Sequence, residues 1–319
     1  MVDADIPRKR LGKTGIDVTT VGMGGAWLGR QGEGVDEDLG VQTIWAGLEA
    51  GVRLIDTAPL YIATRSEQMV GRALRERRDL AAGAVLETKC CRHAEGSDYS
   101  YDGAMRSVSG SLERLGRSRL ELLYIHDPPA GAFDQVMGPG GALQALRALQ
   151  TQGVVAHVGI ASNYPEDNAP YAESGEFEMA VVPDAYSLLN QVALERLFPA
   201  AQRFDMGVVV ATPYEKGLLA VGASGVRQRP ELLPATRHFP PQAMERVQAI
   251  EALCAEYGVS LAAVALQFVV RPSMVTTCIP GPRTPAEARM NADAARAPIP
   301  DALWQQLEPL VESWDIVAR

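Results

Sequence analysis

Short runs rich in β-branched and other apolar residues alternate with longer amphipathic stretches from one end of the chain to the other. Such switching between a period of two and a period near 3.6 is the signature of strands alternating with helices. The apolar runs fall at 18–23, 52–55, 84–88, 120–125, 155–160, 179–182, 207–211 and 274–279. Helical patterns lie between most of them and are clearest at 41–50, 66–77, 101–115, 143–151, 194–203 and 243–257. Regular alternation predicts an α/β protein with a parallel sheet. Eight units predict a sheet closed into a (β/α)8 barrel, the TIM barrel, rather than an open one. Gly51, Gly116, Gly153, Gly207 and Gly258 follow five of the helices within a few residues, where a C-cap glycine belongs.

Two pieces stand outside the repeat. An N-terminal hairpin is expected at 9–18, with Lys13-Thr14-Gly15 as its turn, and an extra C-terminal helix within 300–319. Between 213 and 241 the chain is rich in Pro, Gly and Arg and lacks clean periodicity, which predicts a long loop after the seventh strand. Loops of that length commonly act as lids.

Composition narrows the function. The 319 residues, 47% apolar and 22% charged, suit one barrel domain over 1–319. A net charge of -9 repels a phosphate backbone, and Arg72, Arg75, Arg77 and Arg78 are interleaved with Glu76 and Asp79 as on a solvated helix face, so nucleic acid is not an expected partner. The charged N-terminus lacks an apolar leader core, and the apolar stretch 261–270 is too short to span a bilayer. A cytoplasmic protein without a membrane anchor is expected. Four cysteines, two of them adjacent at Cys90 and Cys91, form neither a disulfide framework nor a paired metal site, which suits reduced thiols.

Candidate chemistry appears where three apolar strands end on ionisable residues: VRLI then Asp56, AVLET then Lys89, LELLYI then His126. In a parallel barrel these ends meet at the C-terminal rim, where barrel enzymes place their active sites. Tyr61 lies in the loop after Asp56. Singly, each has a structural reading: Asp56 as a turn carboxylate, Lys89 and His126 as satisfied strand-end groups, Tyr61 as packing. Together they make an acid–base centre. A buried Lys89 would lower the phenol pKa of Tyr61 while Asp56 keeps Lys89 charged. His126 would donate to a substrate oxygen, and the hydride would come from a cofactor. Gly24 and Gly25 follow the first strand and would let a cofactor approach the backbone, with Trp27 lining the substrate pocket; a turn with a core Trp is the structural alternative.

The segments IDTAPLYIATRSEQMVGRAL, LYIHDP, GVVAHVGIASN, YSLLNQ, GVVVATPYEKGLLA and CIPGPRTPAEARMN span nearly the whole chain. In that order they resemble the aldo-keto reductase family. The resemblance implies a catalytic tetrad of Asp56, Tyr61, Lys89 and His126. It implies that Ser162 and Asn163 hold the nicotinamide carboxamide, that Thr212, Gly217 and Leu218 run along the pyrophosphate, and that Gly281, Arg283, Glu287 and Asn291 grip the adenosine half. No GxGxxG fingerprint opens a βα unit, in keeping with a dinucleotide bound on a barrel. Two positions depart from the pattern: Pro183 stands where many members have Gln, and Ala211 where many have Tyr. SYDGAMRSVSGSLERLG followed by LELLYIHDPP is similar to the branch of aldose and L-fucose dehydrogenases, which implies oxidation of an aldose at its anomeric carbon to a lactone. Reduction of aldehydes or ketones with NADPH is the alternative.

A carboxylate at Glu287 would repel a 2′-phosphate and accept hydrogen bonds from the free ribose hydroxyls of NAD, so NAD is the preferred cofactor. Arg283 pulls the other way and admits NADP. Alternatively Glu287 faces solvent, paired with Arg283 or Arg289. Two other functions compete. A metal-dependent barrel hydrolase needs convergent His and acidic ligands, but His93, His126, His157 and His238 form no HxH or HExxH spacing, and no metal is expected. A cofactor-binding regulatory protein without turnover is opposed by the intact tetrad.

Overall fold

A computed structural model describes residues 5–163, 165–228, 238–314 and 316. The hairpin comes first: Arg8–Arg10 (β1) pairs antiparallel with Asp17–Thr19 (β2) through a 3-10 turn at Gly12–Thr14, with Gly15 left-handed at its end. Eight parallel strands follow: Met23–Gly24 (β3), Leu54–Asp56 (β4), Val85–Cys90 (β5), Leu120–His126 (β6), Val155–Ala161 (β7), Met179–Val182 (β8), Gly207–Ala211 (β9) and Val275–Ile279 (β10). They pair in chain order from β3 to β10. The ring closes where Gly22 N donates to Cys278 O at 2.8 Å, Cys278 N to Thr20 O at 3.0 Å and Gly24 N to Pro280 O at 2.9 Å. This is the expected barrel with its N-terminal hairpin and, at Asp301–Leu307, its extra C-terminal helix.

The helices start and stop on local chemistry. Asp36 accepts from Leu39 N ahead of Glu37–Glu49, Ser100 from Gly103 N ahead of Tyr101–Leu115, Ser260 from Ala263 N ahead of Leu261–Val269, and Thr284 from Glu287 N ahead of Pro285–Arg296. Each cap satisfies an orphan donor and contributes about 1 kcal/mol. Inside the ring a separate apolar cluster (Leu11, Val18, Leu54, Leu122, Tyr124, Met179, Val209 and others) fills the barrel, while the larger core lies between strands and helices. The interior is therefore a packed core and not a pore.

Four expectations need correction. The apolar run 18–23 is two elements: Val18 belongs to the hairpin, and only Met23 and Gly24 join the barrel, because the chain must turn from the barrel floor into the ring. Gly207 is no C-cap. The preceding helix ends at Arg203, Asp205 takes the left-handed conformation, and a Cβ on Gly207 would sit 2.5 Å from Leu11 Cδ1. The expected loop 213–241 contains helical structure over Leu218–Gln228, broken at Gly222 (φ 76°), with Leu218, Leu219, Ala223 and Val226 buried; residues 229–237 lie outside the described residues. Helices at Pro165–Glu173 and Leu261–Val269 add to the expected set. Among the described residues no single helix is long and apolar enough to cross a membrane.

The hairpin is fitted to the barrel floor at Gly12, which has φ +48 and whose Cβ would overlap the backbone of Met206 and Gly207. Gly12→Ala should lower stability by about 1–3 kcal/mol, through overpacking and a strained φ. Gly15 has φ +73 but open space around its Cβ position, so Gly15→Ala should cost only about 1 kcal/mol. Equal losses in urea melts would show that the hairpin does not pack tightly on the floor.

Candidate active site

Asp56 ends β4, Lys89 lies one residue before the end of β5, and His126 ends β6, so the three converge on one sector of the rim. All three are buried. The Lys89 ammonium pairs with Asp56 Oδ1 and donates to Thr57 O at 3.0 Å. Tyr61 is carried in by a tight turn in which Ile62, Ala63 and Thr64 all take positive φ (53, 47 and 70°), a costly conformation for residues with a Cβ. Lys89 Nζ lies 4.5 Å from the centroid of the Tyr61 ring, which meets His126 edge-on at 5.7 Å. The four residues singled out from sequence therefore form one cluster.

Its electrostatics differ from the expectation in one respect. Burial would lower the Lys89 pKa, but Asp56, Tyr61 and Glu87 override it and the net shift is upward, so Lys89 stays charged. Burial pushes the Tyr61 phenol up, Asp56 adds to this, and Lys89 opposes it without prevailing. The expected fall in the phenol pKa is thus corrected to a rise: the lysine sits over the ring face and is already neutralised by Asp56. Burial and the charges of Lys89 and Arg92 push His126 far down, leaving a neutral imidazole. Its Nδ1 is buried with no hydrogen-bond partner among the described residues.

The remaining residues form an arc around the rim. Ser162 and Asn163 follow β7; Ser162 is buried, whereas Asn163 Nδ2 donates to Asp127 Oδ2 at 2.7 Å. Asp127 also pairs with Arg92 and has φ 42°. In this structure the Asn163 amide is engaged with protein. Thr212 follows β9 and lies 2.6 Å from Asp184 Oδ1, with Lys216 Nζ 3.9 Å from the same carboxylate. Asp184 thus supplies a polar group directly after Pro183. Gly217 has φ +113 and open space at its Cβ position, and Leu218 is buried. Asn291 accepts from Tyr214 OH at 2.9 Å.

Beyond β10, Gly281 faces Trp27, whose Cδ1 would lie 3.0 Å from a Cβ there. Trp27 is 43% exposed with the Arg30 guanidinium over its ring, so it is a rim residue rather than a core one. Gly25 is required by packing: a Cβ would meet Asp56 O at 2.5 Å and Ser66 Oγ at 2.6 Å. Glu287 pairs with the Arg283 guanidinium at 2.6 Å and accepts from Arg283 N at 2.7 Å, so the two residues are engaged with each other. Among the described residues no group of three His, Cys, Asp or Glu could hold a metal ion. Glu87 and Tyr124 are not among the residues that strand ends single out; they lie two residues deeper than Lys89 and His126 on the same strands and therefore on the same inward face. The alternation along each strand was the available signal.

A cluster of ionisable residues on the rim of a parallel barrel lies where barrel enzymes place their chemistry. Comparison with known proteins agrees. A family model described as the Aldo/keto reductase family matches residues 20–312, and the chain belongs to that family. It is 30% identical over 336 residues to pyridoxal 4-dehydrogenase of Microbacterium luteolum, spanning 94% of this chain and 96% of the relative. It is 29% identical over 315 residues to D-threo-aldose 1-dehydrogenase of a Pseudomonas species, spanning 92% and 94%. L-galactose dehydrogenase of Arabidopsis thaliana is 28% identical, with 91% and 88% spanned. The holo form of an aldo-keto reductase from Bacillus halodurans has the same fold, with a TM-score of 0.78 over 97% of this chain and 98% of the other at 24% identity. The protein is thus an oxidoreductase of a family that uses nicotinamide cofactors.

Lys89→Met should cost about 3–5 kcal/mol, because it leaves the Asp56 carboxylate buried without its partner. Lys89→Met combined with Asp56→Asn should recover part of that loss in denaturant melts. A double variant no more stable than the single one would show that the pair is not coupled.

Proposed function

We propose that the protein oxidises an aldose at its anomeric carbon to the lactone, with NAD preferred over NADP, and that Asp56, Tyr61, Lys89 and His126 are its catalytic residues. The observation that carries the reading is the convergence of a charged, buried Lys89, the Tyr61 phenol and a neutral His126 at one point of the rim. Three relatives bear dehydrogenase names, and two of those names specify sugars.

The residues present fit a dinucleotide. Gly217 is open where a Cβ would stand, His126 Nδ1 is a buried polar atom awaiting a partner, and Ser162, Asn163, Thr212, Leu218, Gly281 and Asn291 continue the arc with Gly25, Trp27 and the Arg283–Glu287 pair. When bound, the nicotinamide supplies a hydride acceptor. Tyr61, as the phenolate that the charge of Lys89 stabilises, accepts the proton of the anomeric hydroxyl and becomes the neutral phenol. Asp56 holds Lys89 in place. His126, being neutral, offers one ring N–H to the reacting oxygen and fixes the carbon it is attached to. Trp27 covers one side of the substrate. Because burial raises the Tyr61 pKa, this oxidation should accelerate with rising pH.

The same raised pKa favours a second reading, carbonyl reduction, in which Tyr61 gives up its proton; a relative at 25% identity is the NADH-specific methylglyoxal reductase of Escherichia coli. A panel of aldoses, simple aldehydes and pyridoxal, followed by the absorbance of reduced cofactor in both directions, separates the two. Aldehyde reduction alone would reverse the proposed direction.

NAD preference rests on the Arg283–Glu287 pair, because a 2′-phosphate would have to displace a carboxylate already holding the guanidinium and backbone N–H of Arg283. Tyr61→Phe should leave cofactor affinity unchanged in a fluorescence titration and lower kcat by about 10²-fold or more; near-normal turnover would remove Tyr61 from the chemistry. Glu287→Gln should shift the NAD to NADP ratio of kcat/KM toward NADP by about tenfold, a difference of 1.4 kcal/mol. A ratio that does not move would make the pair a surface contact only.

A further inference from the structure

Directly beneath the Lys89–Asp56 pair, the barrel interior contains a second carboxyl group. Glu87 is fully buried and lies two residues before Lys89 on β5, so both side chains enter the ring from the same face of the strand. Its Cα is the register partner of Asp56 on the neighbouring strand, and its backbone O accepts from Thr57 N at 3.0 Å. Tyr124 OH donates to Glu87 Oε2 at 2.9 Å. Oε1 has no partner among the described residues. An ionised Glu87 would leave that oxygen as an acceptor beside another acceptor, the Asp56 carboxylate. A protonated Glu87 turns Oε1 into a donor and resolves the conflict.

We propose that Glu87 is a positioning residue of the acid–base centre: held as a neutral acid under Asp56, it donates to the Asp56 carboxylate and so reserves the Lys89 ammonium for Tyr61. This rests on the reading of Tyr61 as the group that exchanges the substrate proton. The titratable groups facing Glu87 are Asp56 from β4, Lys89 on its own strand and Tyr124 from β6, with Tyr61 and His126 above them. The apolar interior side chains around them include Leu54, Leu122, Met179 and Val209. Burial, then the charge of Asp56, push the Glu87 carboxyl up to about 8, with Lys89 and the Tyr124 hydrogen bond opposing. Below that pH the cluster holds one negative and one positive charge. Above it Glu87 releases its proton to solvent, Lys89 faces two carboxylates, and its influence on Tyr61 weakens. The Tyr61 phenol is then harder to ionise, so ionisation of Glu87 limits oxidation on the alkaline side.

The test compares wild type, Glu87→Gln and Tyr124→Phe. Without substrate or cofactor, the Tm advantage of Glu87→Gln over wild type should widen as pH rises from about 4.5 to about 8 and then stay constant. Over this window the unfolded glutamate is ionised and the folded one is not. In turnover, the rise of log kcat/KM for aldose oxidation should flatten near pH 8 in wild type and continue straight through in Glu87→Gln. Tyr124→Phe removes a hydrogen bond that favours the ionised form, so its break should move to higher pH. A Tm difference independent of pH, or the same profile in wild type and Glu87→Gln, overturns the proposal. Should Tyr61 not be the proton-exchanging group, Tyr61→Phe would retain turnover while the substrate-free Tm titration persisted, which separates the two failures.

Discussion

An ammonium group removed from water must have its counter-charge built into the same cavity, and the arrangement of this site follows from that requirement. Lys89 is almost completely buried, and the group that neutralises it, Asp56, can reach it because β4 and β5 run parallel with Asp56 opposite Glu87, two residues before Lys89 on the same face. The closed ring fixes that register. Backbone hydrogen bonds between the first and last strands leave no free edge along which β4 and β5 could slip.

Given that pair, the remaining polar groups take their states from burial. Tyr61 remains a neutral phenol because it loses more from desolvation than it gains from a lysine whose charge is shared with Asp56. His126 remains neutral because two cations and the low-dielectric wall disfavour a third charge. The cluster therefore carries one ion pair and two neutral groups, the Tyr61 phenol and the His126 imidazole, whose rings meet edge-on at the rim. Farther along the rim a second ion pair, Arg283–Glu287, is partly exposed and contributes little to stability.

Much of this was legible along the chain. A strand that ends on Asp, Lys or His is visible without coordinates, and the parallel sense of a barrel brings such ends together. Val18 through Met23 read as one strand because both of its pieces are apolar, although one packs in the hairpin and the other in the ring. The helix at Leu218–Gln228 was hidden by its glycines and by the Pro- and Arg-rich residues after it. Glu87 does not stand out along the chain because it is not at a strand end; strand alternation alone places it on the face of Lys89, one step deeper. The direction of the Tyr61 shift is not legible in the sequence for a related reason: neighbours can be inferred from spacing, but the depth of burial that decides between opposing effects cannot.

Hydride transfer itself is tested most directly by following the fate of the anomeric hydrogen. An aldose carrying deuterium at its anomeric carbon is incubated with the protein and NAD, and the reduced nicotinamide and sugar product are analysed by mass spectrometry. Direct oxidation at that carbon predicts one deuterium in the reduced cofactor for each lactone formed, together with a slower rate than for the protiated sugar if hydride transfer limits turnover. Reduced cofactor lacking deuterium, or an aldose returned unchanged while only added aldehydes are consumed, would contradict it.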